Sequence, residues 1–183
     1  MNVEHSRTPG VLLENVGPRH VARLMARRGA EGELRDRVRS HFALELPQRP
    51  QRTADGHLAM VGMGPGSWLV MDLLFSQAFM PRLKFAVGRA ASVCDLSDAY
   101  SFRRIRGLKA RACLAKLVSI DLHATRFPVG SAASTPAAHV PVLLWRLTDD
   151  ENQPAFELGV PRSYAPYVHQ ALEHAAASFQ ASP

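Results

Sequence analysis

The side chains with types and spacing suited to catalysis include Asp121 and His123, in the stretch SIDLHATRF. A carboxylate near a histidine can orient the imidazole as the base that activates a nucleophile. In a strand, however, residues two apart share a face without having to touch. No GxSxG elbow or other nucleophile motif accompanies the pair. We therefore interpret Asp121 as capping a turn and His123 as a surface residue, and we predict no catalytic residue in this chain.

A second candidate is GMGPGS at residues 62–67, which could form a phosphate-binding loop. The dinucleotide fingerprint G-x-G-x-x-G requires a third glycine where Ser67 stands, and it opens a helix, whereas WLVM is strand-like. No Gly-Lys-Ser/Thr loop occurs either. Pro65 and Gly66 suit the central positions of a type II turn, where glycine accepts a positive φ. The stretch therefore predicts a turn between two strands.

Cysteine and histidine patterns predict no metal site. Cys94 and Cys113 are separated by 18 residues without CxxC or Cys/His ligand spacing, and the eight histidines show no HxH or HExxH pattern. Asp95 and Asp98 beside Cys94 should raise the pKa of its thiol and make it less nucleophilic. We expect both cysteines to be reduced, partly buried small hydrophobic residues.

The arginines of SFRRIRG form the densest charged pattern. In a strand, Arg104 and Arg106 share one face with Phe102, and Arg103 shares the other with Ile105. Such a face can meet a phosphate or a carboxylate of a partner, or its arginines can be solvated and pair with local acids. Both interpretations stay open. The chain has 22 Lys and Arg against 16 Asp and Glu, a formal charge of +6.

The elements that would position these residues occur twice. Residues 19–47 and 99–128 each run from a strand-like segment ending in Arg-Gly, through a helix, to a proline. Two hairpins follow, LAMVGM with WLVM and VLLWRL with AFELGV. Each half then closes with another helix, weakly marked between about 76 and 90 and well marked after a plausible N-cap at Ser163. The sequence therefore predicts an internal duplication.

Helical periodicity supports three of the four helices. The apolar stripes are Leu34, Val38 and Phe42; Ala110, Cys113, Leu114, Leu117 and Val118; and Tyr164, Val168, Leu172, Ala175 and Phe179. The predicted fold class is α+β, a duplicated β-α-β-β-α unit in two layers, with antiparallel hairpins and helices on the sheets. We expect one domain, 1–183, with halves at about 11–92 and 93–183.

The order and spacing of short motifs resemble the gamma subunit family of heterotetrameric sarcosine oxidase, over about residues 19–180. The motifs are Arg28-Gly29, Leu46-Pro47, Gly64-Pro65, Trp68-Leu69, DLSD at 95–98, RGLKA at 106–110, SIDL at 119–122, FPVG at 127–130 and VPRS at 160–163. The resemblance implies a fold like the folate-binding domain of the glycine-cleavage aminomethyltransferase, itself a duplicated α+β unit.

The resemblance also implies a role. The family's complexes oxidatively demethylate sarcosine or a related N-methyl amino acid and pass the one-carbon unit to tetrahydrofolate. FAD, FMN, NAD and tetrahydrofolate belong to the larger flavin-containing subunits, so we expect no cofactor on this chain and a structural, non-catalytic role. Motif residues carry over as fold or interface positions. With Arg104 from the strand pattern, the candidates are Arg104, Arg106, Gly107, Asp121, Arg162 and Ser163, and Asp95 and Ser97 carry over in the same way.

Two other functions are compatible with parts of the sequence. One is a free-standing folate-binding or aminomethyl-transfer protein of the same fold, for which the folate-contacting acid has no recognisable counterpart. The other is an RNA-binding module, motivated by the charge of +6 but weakened by scattered arginines with few aromatic neighbours. Because no apolar run reaches about 18 residues and MNVEHSRTPG lacks a signal pattern, we expect a cytoplasmic protein with no membrane or nucleic-acid partner.

Overall fold

The computed structural model describes residues 10–149 and 153–180, which form ten strands and four α-helices. The strands are β1 (Leu12–Val16), β2 (His20–Ala26), β3 (Arg52–Ala54), β4 (Leu58–Gly64), β5 (Ser67–Asp72), β6 (Ala91–Asp95), β7 (Tyr100–Arg106), β8 (Ala132–Ala137), β9 (Val140–Arg146) and β10 (Ala155–Pro161). The helices are α1 (Glu31–Phe42), α2 (Phe79–Val87), α3 (Ala110–Leu114) and α4 (Ala165–Gln180).

The strands form two five-stranded antiparallel sheets that exchange their edge strands. The N-terminal sheet has the order β3-β4-β5-β2-β6, and the C-terminal sheet has the matching order β8-β9-β10-β7-β1. Thus β1, which leads into β2, pairs with β7, whereas β6, which leads into β7, pairs with β2. The duplication is present with two more strands per unit than predicted, and the predicted boundary at 92/93 falls inside β6.

Three hydrophobic clusters show how the layers stack. Helices α1 and α2 cover the outer face of the N-terminal sheet, and α3 and α4 cover that of the C-terminal sheet. The inner faces of the two sheets pack on each other. That inner cluster contains Val21, Ala59, Val61, Leu69, Met71, Phe102, Ala132, Leu143 and Trp145. Each half has the predicted helix and sheet layers, and together they make four layers, α–β–β–α. The predicted α+β class with antiparallel hairpins is confirmed.

The predicted helices are present, although two of their ends differ. α2 forms despite Pro81, which lies in its first turn, where a missing N–H costs no helical hydrogen bond. α3 ends at Leu114 rather than continuing to Val118, because Val118 instead bridges to Ala137 of β8. Val118 is buried all the same, so its stripe was placed on the correct face.

The start of α4 also differs from the prediction. Arg162–Tyr164 form a 3-10 turn that runs straight into α4 at Ala165, so Ser163 lies inside the turn and is not the N-cap. Tyr164, the first residue of the predicted stripe, is about half exposed, whereas Val168 and Leu172 are fully buried. The stripe therefore begins one turn later than predicted.

The stretch GMGPGS is the end of the β4–β5 hairpin. Gly64 pairs with Ser67, which leaves Pro65 and Gly66 as a two-residue loop. Gly66 has a φ of +65°, as the third residue of a type II turn requires. Because a strand rather than a helix follows, the stretch lacks the geometry of a dinucleotide-binding loop. The predicted turn is confirmed.

Gly62 has a different reason to be glycine. A Cβ at this position would lie 2.4 Å from the carbonyl oxygen of Arg49. The segment before β3 therefore packs too closely on Gly62 to leave room for a side chain there. The indole Nε1 of Trp68 donates to the Pro47 carbonyl oxygen at 2.7 Å and fixes the same segment. The same segment leads into β3, at the edge where the two sheets are joined. There the Arg52 N–H donates a hydrogen bond to the Gly130 carbonyl oxygen at 2.7 Å.

Candidate functional site

The arginine face predicted on β7 lies between the sheets, around a buried carboxylate. Glu157 of β10 is 1% exposed and accepts hydrogen bonds from both Nη atoms of Arg19, at 2.6 and 3.1 Å. Arg104 Nη2 donates to the same carboxylate at 3.1 Å. The Arg19 guanidinium also lies over the ring of Phe102, 5.2 Å from its centroid. A buried carboxylate depends on such partners, so this network holds the two sheets in register.

The outer end of the same face reaches the exchanged strand β1. Arg106 Nη2 lies 2.9 Å from Glu14 Oε1, and Arg104 Nη1 lies 4.0 Å from Glu14 Oε2. Both arginine side chains remain about one-third exposed, at the edge of a cavity of about 390 Å³. Of the two interpretations left open for these arginines, the structure therefore shows pairing with local acids.

Arg52, on β3, was not singled out by the sequence. Burial lowers the pKa of Arg52; Glu157 acts in the opposite direction, and the neighbouring Arg19 and Arg104 lower it further. Its buried Nε makes no hydrogen bond within residues 10–149 and 153–180. Three guanidiniums thus approach one carboxylate. No sequence signal marks this cluster, because its four members come from four segments far apart in the chain.

The DLSD motif is a turn between β6 and β7. Asp95 Oδ1 accepts hydrogen bonds from the Ser97 N–H at 2.9 Å and the Ser97 hydroxyl at 2.7 Å. The Ser97 side-chain and backbone hydrogen bonds lower the pKa of Asp95. The Ser97 hydroxyl also accepts the Val21 N–H at 3.0 Å, which ties the turn to β2. These contacts give Asp95 and Ser97 a role in the fold.

Arg162 fastens the C-terminal turn to that same connection. Its Nε donates to the Asp98 carbonyl oxygen at 2.6 Å, and its Nη2 donates to the carbonyls of Ser97 and Tyr100 at 3.5 and 3.4 Å. Its backbone N–H donates to the Ala99 carbonyl at 2.9 Å. Ser163 is exposed beside it. The VPRS motif therefore closes β10 onto the β6–β7 turn.

Gly107 and Asp121 also shape the backbone. Gly107 has a φ of +126°, and a Cβ on it would lie 2.5 Å from the Gly10 carbonyl oxygen, so no other residue fits without a shift. Asp121 Oδ1 accepts the His123 N–H at 2.8 Å, while the His123 ring contacts the Thr125 hydroxyl at 2.9 Å. The Asp121 carboxylate caps the turn instead of orienting the imidazole.

The six candidate positions do not converge on one site. Arg104 and Arg106 lie on β7 and Gly107 directly follows it, whereas Asp121 and the 162–163 pair lie in separate turns. Within the described ranges, no group of three or more His, Cys, Asp and Glu side chains is placed to hold a metal ion. None of the described helices has both the length and the apolar character to cross a bilayer.

The two cysteines have different surroundings. Both are free thiols. Cys113 is fully buried, and this burial raises the pKa of its thiol, with Lys116 acting in the opposite direction. Cys94 is exposed on the edge strand β6, which differs from the predicted partial burial because only one side of β6 is paired. The absence of a disulfide in the described chain agrees with the prediction.

Helix α2 presents a surface that the sequence reasoning missed. Phe85 is 79% exposed. In the described part of the chain, the one aromatic ring that contacts it is that of His41, in an edge-to-face arrangement with 6.0 Å between the ring centroids. Arg82 and Lys84 lie on the same helix, which contains no acidic residue. A hollow of about 410 Å³, lined by His41 and Leu74 among others, lies alongside. We call Phe85, Arg82 and Lys84 the α2 surface. This surface could have been found in the sequence, because Phe85 is a large apolar residue that does not fall on the buried face of its short helix.

Comparison with known proteins gives consistent results. Residues 28–178 match the model of the sarcosine oxidase, gamma subunit family. The sarcosine oxidase subunit gamma of Corynebacterium sp. (strain U-96) is 35% identical over 89 residues, which are 48% of this chain and 43% of the relative. That of Arthrobacter sp. is 32% identical over 103 residues, 55% of this chain and 51% of the relative. The chain spans about half the length of the curated relatives it matches.

The fold is shared with two solved structures. A chain of heterotetrameric sarcosine oxidase from Corynebacterium sp. U-96, in complex with pyrrole 2-carboxylate, superposes with a TM-score of 0.83 and 26% identity, covering 94% of this chain and 87% of that one. Glycine cleavage system aminomethyltransferase T from Bartonella henselae gives 0.66 and 13% identity, covering 90% and 46%, and shares the fold alone. The aminomethyltransferase-like fold is thus confirmed. On these matches, the chain belongs to the sarcosine oxidase gamma subunit family.

Proposed function

We propose that this chain is the gamma subunit of a cytoplasmic sarcosine oxidase-like complex. The complex oxidatively demethylates sarcosine or a related N-methyl amino acid and passes the one-carbon unit to tetrahydrofolate. The chain's own role is structural, and FAD, FMN, NAD and tetrahydrofolate are held by the larger subunits. The observation that carries this proposal is the match, over 94% of this chain, to a chain of a heterotetrameric sarcosine oxidase.

The charged residues of this chain support a structural role. Arg19 and Arg104 both donate hydrogen bonds to Glu157 between the sheets, and Arg162 donates to backbone carbonyls. Asp121 is engaged with a backbone N–H, so it leaves His123 without the partner that a catalytic base needs. The family match also favours the subunit over a free-standing folate-binding protein or an RNA-binding module.

The α2 surface supports contact with a larger partner. Aromatic residues and arginine are enriched at protein interfaces, and hot spots are rich in the same types. Phe85 offers a large apolar side chain, and Arg82 and Lys84 flank it without a salt bridge in the described part of the chain. On the neighbouring helix α1, by contrast, Arg37 and Arg39 pair with Glu33 and Asp36. The partner surface is expected to be acidic around an apolar recess.

The test is to produce the larger subunits with and without this chain. If the role is structural, sarcosine still reduces the flavin of the larger subunits when this chain is missing, but their thermal midpoint and yield fall. Adding the purified chain back should restore both. If removal of this chain instead abolishes flavin reduction while the remaining assembly stays folded, the chain contributes to catalysis and the proposal is wrong.

A further inference from the structure

A small polar cavity lies where the two exchanged connections meet, and its walls carry an unbalanced positive charge. The cavity has a volume of about 280 Å³ and lies between the β1–β2 connection and the β6–β7 turn. No acidic residue lines it in the described part of the chain. Its polar lining residues are Asn15, Arg19, Ser97, Tyr100, Ser101, Arg103 and Arg162.

Arg19 contributes little net charge here, because its guanidinium is paired with the buried Glu157. Arg103 is different. Its Nη1 donates to Asn15 Oδ1 and to the Ser101 hydroxyl, and its Nε donates to Nδ1 of His169 at 3.2 Å. All these acceptors are neutral, and within the described residues no carboxylate lies within 4.0 Å of the Arg103 guanidinium. Among the described residues, Arg103 is therefore a partly buried cation with no carboxylate in contact with it.

The acids closest to this cavity do not neutralise it. Asp98 lies 3.7 Å from Arg162 Nη2, but its side chain is fully exposed, so water screens the pair. Glu173 is paired with Nε2 of His169 at 3.0 Å, on the far side of the imidazole from Arg103. The Asp95 carboxylate is bound by Ser97. The cavity thus presents two guanidiniums with only a weak, solvent-screened opposing charge.

We propose that this cavity binds a small oxyanion between Arg103 and Arg162. Among the described residues, the contacts of Arg103 use its Nε and Nη1, and those of Arg162 use its Nε and Nη2. Each guanidinium therefore keeps one Nη group for an oxygen of a carboxylate or a phosphate, and charge-assisted hydrogen bonds of this kind are about twice as strong as neutral ones. The Ser101 hydroxyl adds a donor that can turn toward the ligand. The volume of about 280 Å³ admits acetate or inorganic phosphate. This site is independent of the proposed assembly function.

The site has a structural consequence that makes it measurable. Arg162 holds the C-terminal turn, and Arg103 contacts both β1 through Asn15 and α4 through His169. An anion between them links the exchanged strand to the last helix. A ligand that binds the folded chain raises the ratio of folded to unfolded protein, by about 11-fold at ten times its dissociation constant. In a chain of this length, this corresponds to a rise in Tm of about 3–5 °C.

The experiment measures Tm of the full chain, in whichever assembly it purifies, at constant ionic strength while sodium acetate or sodium phosphate replaces sodium chloride. We expect a saturable rise with at least one of the two anions. A response to acetate alone identifies a carboxylate site, a response to phosphate alone identifies a phosphate site, and a response to both identifies a general oxyanion site. The absence of a saturable response to either anion overturns the proposal.

The variants separate binding from stability. Arg103→Gln and Arg162→Gln should each remove the anion-dependent rise in Tm, whatever their Tm in chloride. If one variant does not fold, the other alone is sufficient to test the site. The control is Arg126→Gln, an exposed arginine in the turn before β8 that does not line the cavity. It should respond like the unmodified chain. If Arg103→Gln and Arg162→Gln also respond like the unmodified chain, the anion binds elsewhere and the proposal is wrong.

Discussion

Arg19 and Glu157 are 138 residues apart in the chain, yet they form a two-pronged ion pair at 2.6 and 3.1 Å between the sheets. Arg19 lies at the end of the connection that carries the chain from β1, in one sheet, to β2, in the other. Glu157 lies in the middle of β10, beside β7. The pair therefore fastens the two halves at the point where their edge strands are exchanged.

Removing this carboxylate should destabilise the chain strongly. Glu157→Gln removes the buried carboxylate that Arg19, Arg52 and Arg104 share, and breaking a buried ion pair from one side costs about 3–5 kcal/mol. Urea unfolding followed by the fluorescence of the two buried tryptophans, Trp68 and Trp145, measures the free energy of unfolding.

The control for that experiment is Glu45→Gln, which removes an exposed carboxylate 3.4 Å from Arg39 and should cost less than about 1 kcal/mol. Replacing both partners of the two-pronged pair, Arg19→Met with Glu157→Leu, should recover only part of the loss, because the Arg19 charge is removed with its counter-ion while Arg52 and Arg104 still lose the carboxylate. A Glu157→Gln variant as stable as Glu45→Gln would show that the buried pair contributes little.

Gly107→Ala should destabilise the chain through its backbone. The residue has a φ of +126°, and the added Cβ would lie 2.5 Å from a backbone oxygen, which cannot rotate away. We expect a loss of about 2 kcal/mol or more, since left-handed strain and a steric clash add. The control is Gly32→Ala in α1, where a Cβ meets open space and alanine is the better helix former, for a gain of up to about 1 kcal/mol. Equal effects of the two substitutions would contradict the prediction.

The turn at Asp95 should make stability depend on acid pH. Hydrogen bonds from Ser97 lower the pKa of Asp95 in the folded chain below its ordinary value of 3.8. Stability from this group is therefore fully present above pH 4 and is lost as pH falls through the lowered pKa. Ser97→Ala removes the hydroxyl donor and should flatten the decline between pH 4 and pH 2. The measurement is urea unfolding at several pH values, and an unchanged decline in Ser97→Ala would exclude this cause.

The α2 surface should contribute to complex formation. Phe85→Ala should weaken binding of the chain to its larger partner at least about 30-fold, the effect expected of a 2 kcal/mol hot spot. Arg82→Glu with Lys84→Glu should slow association, and the effect should diminish at high salt. Biolayer interferometry with the immobilised chain measures both effects. Leu108→Ala, a 72% exposed residue between β7 and α3, is the control and should bind normally. If Leu108→Ala weakens binding as much as Phe85→Ala does, the loss is not specific to the α2 surface and the prediction is contradicted.

Local sequence patterns predicted the elements whose causes are local. Pro65 and Gly66 specify their own turn, and the spacing of Leu34 and Val38 specifies the buried side of α1, because both depend on neighbouring residues alone. The predicted extent of α3 was wrong because Val118 forms a β-bridge with Ala137. Helical periodicity in the sequence carries no information about such a distant contact.

The strand exchange and the charged cluster could not be predicted from local patterns. β1 and β6 are short segments whose partners lie in the other half, and edge strands carry weak alternation. The arginines of β7 were recognised, but their partner Glu157 lies inside the apolar run AFELGV, and nothing near it in the sequence marks a buried ion pair. The cavity at Arg103 and Arg162 likewise forms only when the two connections meet.

The most direct test of the proposed assembly is co-expression of this chain, tagged, with candidate large flavoprotein subunits, followed by size-exclusion chromatography with light scattering. We predict one peak that contains this chain and the flavoprotein in equal numbers and whose flavin is reduced by sarcosine, while the chain purified alone carries no flavin. A tagged chain that elutes as a monomer, beside a flavoprotein assembly that is complete and stable without it, would contradict the account.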